Sequence, residues 1–183
     1  MKSPTEMLEA EHRVIARIVG ITPVLAQKLD EGDVIKPDIL KSIVEFMRIY
    51  ADKSHHGKEE DLLFAVLSDK GVPMQGCPIG ALVADHVSGR SLVRHLSDSA
   101  EAYSRNEPEA YEGLISSLRG IAALYPGHIW KEDYLLFPMT NKLLSPEELE
   151  ALRREFEKAD LRIGHDTLER LARLADDLER QFG

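Results

Sequence analysis

Apolar residues recur along this chain every three to four positions, and nowhere do they alternate as a half-buried strand would. Ser3-Pro4-Thr5-Glu6 reads as a capping box with proline at the first helical position. Leu8, Ile15, Val19 and Leu29 then give a first helix its inner face, with His12 inside that pattern; Gly20 and Pro23 are expected to bend or interrupt it. After a turn at Glu31-Gly32-Asp33, a second helix is predicted from near Pro37 to about Ser68, its inward stripe formed by Val44, Ala51, His55, Glu59, Leu62 and Val66. A Gly- and Pro-rich loop from Lys70 to Pro78 leads to a third helix over roughly Ile79 to Arg105. A fourth, from about Glu109 to Asn141, repeats the stripe as Leu114, Ile121, Leu124, His128, Glu132, Leu135 and Met139, with a kink expected at Pro126-Gly127. Ser145-Pro146-Glu147-Glu148 opens a C-terminal helix over about 146–180, with Gly164 as a candidate break. The expected class is all-α. Short connections favour antiparallel neighbours, hence an up-down four-helix bundle over about 4–142 plus the C-terminal helix, in one domain spanning 1–183.

The polar positions on those stripes are not scattered. The stretch His55-His56-Gly57-Lys58-Glu59-Glu60-Asp61-Leu62-Leu63-Phe64 returns seventy-three residues later as His128-Ile129-Trp130-Lys131-Glu132-Asp133-Tyr134-Leu135-Leu136-Phe137. His55 aligns with His128, Lys58 with Lys131 and Glu59 with Glu132. His12 and His86, seventy-four residues apart, precede the two copies by forty-three and forty-two residues. The chain therefore reads as two duplicated helical hairpins that bring His12, His55, Glu59, His86, His128 and Glu132 into one cross-section. A histidine and a glutamate four residues apart share a helix face. Burying two carboxylates with no positive partner costs several kcal/mol each, and a bound cation supplies that partner. His56, Glu60 and Asp133 are alternatives one step round their helices, and Tyr125 lies within a turn of His128. His95 and His165 are expected at the surface, Trp130 and Tyr134 in packing, and Lys58 and Lys131 balancing surface charge.

Composition narrows the function. A net charge of −9 disfavours nucleic acid and anionic membrane surfaces as partners. No apolar run reaches membrane-spanning length and no signal-peptide core follows Met1, so a cytoplasmic location is expected. The single cysteine, Cys77, excludes an intrachain disulfide or a thiolate cluster. Imidazole and carboxylate donors suit iron, manganese or zinc better than copper(I) or calcium.

Glu11-His12, His55-His56-x-Lys58-Glu59-Glu60-Asp61, Asp85-His86-x-x-Gly89-Arg90 and His128-x-x-Lys131-Glu132-Asp133 together resemble the hemerythrin-like, or HHE cation-binding, family over roughly residues 5 to 142. The resemblance implies two non-haem iron ions between the helices, joined by an oxo, hydroxo or water ligand, with zinc or manganese as substitutes. His12, His55, His86 and His128 would be terminal ligands, and Glu59 and Glu132 bridges. Oxygen-carrying members have a second histidine one turn after the third-helix histidine, where this chain has Arg90; that departure opens one iron, adds a water or brings in another side chain. In those carriers the last carboxylate follows its histidine by five residues, the position of Asp133, whereas the internal repeat favours Glu132. The resemblance thus implies a protein that binds or senses O2, NO, peroxide or iron, and is more a ligand-binding protein than an enzyme, with no catalytic residue assigned. A peroxidase-like or iron-centre-repair enzyme is the alternative, followed by iron buffering and a metal-free phosphotransfer bundle. The C-terminal helix is a candidate homodimer surface.

Overall fold

The computed structural model describes residues 2–183. Six helices and no strand are found among them. The first, α1 (Pro4–Asp30), starts at the expected capping box: Ser3 Oγ accepts from the Glu6 amide and the Glu6 carboxylate accepts from the Ser3 amide. It runs unbroken through Gly20 and Pro23. Proline removes the amide that would bond the Val19 carbonyl, and Thr22 Oγ1 donates to that carbonyl at 2.8 Å instead, which is why the expected interruption does not occur. Gly32, at φ 87°, turns the chain in a conformation that side chains with a Cβ resist.

Helix α2 covers 37–69, α3 is Ile79–Ser104, and α4 covers 110–143. Neither α2 nor α4 is a plain α-helix. In α2, Met47–His56 and Glu59–Leu63 are π-helical; in α4, Glu132–Leu136 is. At their ends the amides of Gly57, Phe64 and Phe137 reach back five residues, to Asp52, Glu59 and Glu132. Each wide turn takes up an extra residue and rotates the rest of its helix by about one position. Downstream of Glu59 the buried residues are therefore Leu63, Phe64 and Leu67 rather than Leu62 and Val66; downstream of Glu132 they are Leu136 and Phe137, with Leu135 turned to the surface. The helix passes Pro126-Gly127 without a break, and its irregularity falls six residues later.

Helix α1 packs on α2 and α4, and α3 packs on α2 and α4, so the four close into a ring. The C-terminal stretch is two helices, α5 (Pro146–Ile163) and α6 (His165–Phe182), divided at Gly164 with φ 103°. Both lie against the ring, α6 on α1 through Leu171, Ala175 and Leu178, with Arg17 paired to Asp176; α5 reaches both α1 and the π-helical part of α2. Two apolar layers result. One holds Ile15, Ala51, Val93 and Tyr125; the other holds Leu8, Phe64, Leu82 and Phe137. On each ring helix the polar stripe lies between them in sequence: His12 between Leu8 and Ile15, His55 and Glu59 between Ala51 and Phe64, His86 between Leu82 and Val93, and His128 and Glu132 between Tyr125 and Phe137. No helix is long and apolar enough to cross a membrane.

Candidate metal centre

Seven polar side chains meet between these layers. His12, His55, His56, Glu59, His86, His128 and Glu132 are all at most 3% exposed, with both glutamates at 0%. Their donor atoms form two groups, one of His12, His55, Glu59 and Glu132, the other of His56, Glu59, His86 and His128; within each group the atoms lie within 4.8 Å of one another. Glu59 belongs to both, its Oε2 standing 3.7 Å from His55 Nε2 and 3.5 Å from His86 Nε2. Glu132 also spans the two: its Oε2 is 3.1 Å from His12 Nε2, while its Oε1 is 3.4 Å from His128 Nε2 and 3.8 Å from His86 Nε2.

The six residues in register under the repeat are thus brought together, and His56 joins them. On a regular α-helix His55 and His56 point about 100° apart, so one of the two should face away. The π-helical winding of Met47–His56 holds both rings inside: His56 stacks on His86 at a 3.8 Å centroid separation and meets His128 edge-on at 5.5 Å. The signal available in the sequence was the His-His pair itself. Its register could not be read, because a π-turn has no 3.6-residue signature.

Around this centre lies a shell of acids. Four of the five histidines hydrogen-bond a carboxylate through Nδ1: His12 to Asp133 (2.7 Å), His55 to Glu11 (2.9 Å), His56 to Asp52 (3.3 Å) and His86 to Glu60 (2.6 Å); His128 Nδ1 faces Asp85 at 3.5 Å without bonding it. An Nδ1–H donating outward leaves the Nε2 lone pair directed inward, the tautomer a metal ligand requires. Glu60 and Asp133 therefore stand outside the cluster, orienting His86 and His12. Cations hold the acids in turn. Arg90 donates from Nε to Asp52 and from Nη2 to Glu60, both at 2.8 Å, so it ties together the partners of His56 and His86. Lys131 donates to Asp85 at 2.6 Å. Lys58 is not the surface residue expected of it: fully buried, it donates to Glu11 and, at 2.7 Å, to Asp160 of α5. Tyr125 packs its ring against His56 and His128 without entering either group of donors. His95 and His165 are exposed, as are Trp130 and Tyr134, which stack on each other at the surface rather than filling the core.

The electrostatics explain what such a centre needs. Burial opposes ionisation everywhere in it. His55 and His56 are pushed below the usual imidazole value and His128 down to about 3. For His12 and His86 burial acts the same way but is outweighed by the carboxylates they touch, and both stand at about 10. Burial, reinforced by the nearby charge of Glu59, raises Glu132 to about 7; in Glu59 burial is overcome by His55 and His86, which hold it far below the ordinary range. Protons on His12 and His86 thus do part of the work of neutralising two buried acids. They do it incompletely: both oxygens of Glu59, both of Glu132, both ring nitrogens of His128 and Nε2 of His86 have no hydrogen-bond partner. Buried polar atoms are almost always paired. Seven orphans in one cluster, every one a metal-donor type, fit cations bound between them.

A buried histidine–carboxylate cluster inside a ring of four helices defines a cation-binding helical protein. The chain belongs to the hemerythrin HHE cation-binding family, whose family model matches residues 3–140. It is also similar to a protein of Mycobacterium bovis and to two of Mycobacterium tuberculosis, all described only as uncharacterized. Each is 22% identical over 179 residues, covering 97% of this chain and 69% of the relative, so the likeness runs past the family domain into α5 and α6. No solved structure matches the chain at a significant level.

Proposed function

We propose that this chain holds two non-haem iron ions and binds a small ligand, O2, NO or peroxide, at one of them. His56, His86 and His128 would hold the first ion, His12 and His55 the second, with Glu59 and Glu132 shared. The ring helices are read as an up-down antiparallel bundle, consistent with their short connections. The observation that carries this reading is that the two donor groups share Glu59 while containing unequal numbers of histidines, three and two. Arg90 removes a nitrogen donor from the third helix, and His56 offers one from the second. The two-histidine group is the one short of donors, so the external ligand is assigned to it. When bound, an iron pair supplies reversible redox change and open coordination positions. The protein's part is to fix ring orientation through Glu11, Asp52, Glu60, Asp85 and Asp133, and to keep bulk water from a centre whose members are buried.

Metal analysis of untagged protein from iron-supplemented cells tests this, with two iron ions per chain expected. Anaerobic ferrous loading followed by air should give near-ultraviolet charge-transfer bands. One metal per chain, or none, would sink the dinuclear reading. Rapid turnover of peroxide would move the assignment from a ligand-binding protein to an enzyme. A homodimer through α5 and α6 would have to use their outward face, where Leu161 is 61% exposed, since the apolar stripe of α6 is spent on α1.

A further inference from the structure

A cavity of about 230 Å3 opens from the surface between α2 and α3 and ends on the outer side of His56. Three guanidinium groups line it: Arg48 from α2, and Arg90 and Arg94 one turn apart on α3. One acid, Asp52, opposes them, so the lining carries three positive charges against one negative in a chain whose net charge is −9. Asp52 and Glu60 already occupy Arg90, but Arg48 and Arg94 are exposed and enter no ion pair among the described residues. Elsewhere on this surface arginines are commonly paired, for example Arg119 with Asp30 and Arg170 with Glu45.

Tyr125 adds a second, independent sign of a ligand. Its side chain is 4% exposed and lines the cavity, yet its hydroxyl has no hydrogen-bond partner among the described residues. Gly89 makes room for that hydroxyl: a Cβ there would lie 3.1 Å from the phenol oxygen. Met47 and Val93 complete the walls with apolar surface. The Tyr125 hydroxyl, the unpaired guanidinium groups of Arg48 and Arg94 and the apolar sides thus face one another around a single carboxylate, Asp52, which Arg90 already engages.

We infer that this cavity binds a small oxyanion, held by the guanidinium groups of Arg48, Arg90 and Arg94 and by the hydroxyl of Tyr125. Guanidinium groups pair oxyanions through parallel N–H donors, and the phenol adds one directed bond. At about 230 Å3 and open to the surface, the cavity has room for an anion of a few heavy atoms. The site is distinct from the open side of the proposed metal pair, which lies with His12 and His55. It is nonetheless wired to the pair. An oxyanion drawing on Arg90 competes with Asp52 for the same guanidinium, and Asp52 orients His56. Occupancy would therefore be felt at the three-histidine group without the anion touching a metal.

The test uses the full chain stripped of metal, so its outcome is independent of whether iron is the resident ion. Inorganic phosphate, nitrite and formate are titrated at constant ionic strength, by calorimetry and by the arginine Nε–H signals in NMR. Saturable binding of at least one of them is expected, with signals of Arg48, Arg90 and Arg94 shifting together. Because Arg48 and Arg94 are exposed, the double variant Arg48→Gln/Arg94→Gln keeps the fold, checked by its circular dichroism, and should weaken binding at least tenfold. Tyr125→Phe should weaken it several-fold, and in metal-loaded protein the anion should shift the metal's absorption bands. Binding unchanged in the double variant, competition by chloride at equal concentration, or no saturation with any of the three anions overturns the proposal.

Discussion

Asp160 lies twenty residues beyond the end of the matched family domain, yet it closes a buried chain that ends on His55. Its Oδ1 accepts from Lys58 Nζ at 2.7 Å and from Ser54 Oγ at 3.1 Å; Lys58 also binds Glu11, and Glu11 receives His55 Nδ1 at 2.9 Å. Lys58 is fully buried while Glu11 and Asp160 are each 15% exposed, so the ammonium has no water to fall back on. Breaking a fully buried ion pair costs about 3–5 kcal/mol. In Asp160→Ala, Glu11 still neutralises Lys58 and water can reach the vacated position, so about 2–3 kcal/mol is expected from the same principle. Glu11 is then the one remaining anion on Lys58, and its position, which fixes His55 Nδ1 through the other carboxylate oxygen, is held by one contact fewer. Changes of this kind lower metal affinity by about 10–100-fold. Urea unfolding of metal-free protein measures the first effect and competition for zinc against a chelator the second. Asp177→Ala is the control: its pair with Arg180 is at the surface, and about 0.5 kcal/mol or less should be lost. If Asp160→Ala matched that control in both stability and zinc affinity, the relay from α5 to His55 would have no energetic content.

Other outcomes derive from the centre itself. His56→Ala should reduce metal binding from two ions per chain to about one, whereas His95→Ala should leave the stoichiometry intact; equal behaviour of the two variants would remove His56 from the site. Zinc binding at pH 7.5 should release at least one proton from His12 or His86, read as a dependence of the calorimetric heat on the ionisation enthalpy of the buffer. The metal-free fold should lose stability as pH rises from 7 to 10. Glu11 and Glu132, raised from 4.5 to about 7, bind protons in the folded state that the unfolded chain has already released, so stability falls between those values; His12 and His86, raised from 6.5 to about 10, contribute stability that is complete below 6.5 and lost through about 10. His128, lowered to about 3, and His55 and His56, also lowered, act oppositely and only below 6.5, and the lowered Glu59 does so only below 4.5. A thermal midpoint of metal-free protein that stays flat from pH 7 to 10 would contradict this, and metal loading should reduce the slope by replacing the protons.

The helices and the meeting of the six repeat-related side chains were legible because their cause is local. Helical spacing of apolar residues declares which face is inward, and a second copy of the same stripe locates polar residues at the same depth. Ser3 and Ser145 cap their helices as expected, since a capping box is closed within four residues. Where structure and expectation part, a non-local or non-periodic cause is at work. Pro23 does not break α1 because Thr22 satisfies the Val19 carbonyl. Lys58 looks like a surface lysine in the sequence because its second partner, Asp160, is one hundred and two residues away.

From the order of residues alone came the helical class, the internal repeat and six of the seven polar side chains that meet between the layers, all consequences of side-chain period and chemistry. Only the packed molecule decided the rest: that the π-helical winding of Met47–His56 turns His56 inward with His55, that the π-helical turns at both glutamates re-aim the apolar residues after them, and that Glu11, Asp52, Glu60, Asp85, Asp133 and Asp160 form the outer shell. Those features depend on what each helix meets across the bundle, where an imidazole or an ammonium can be buried only with a polar partner beside it.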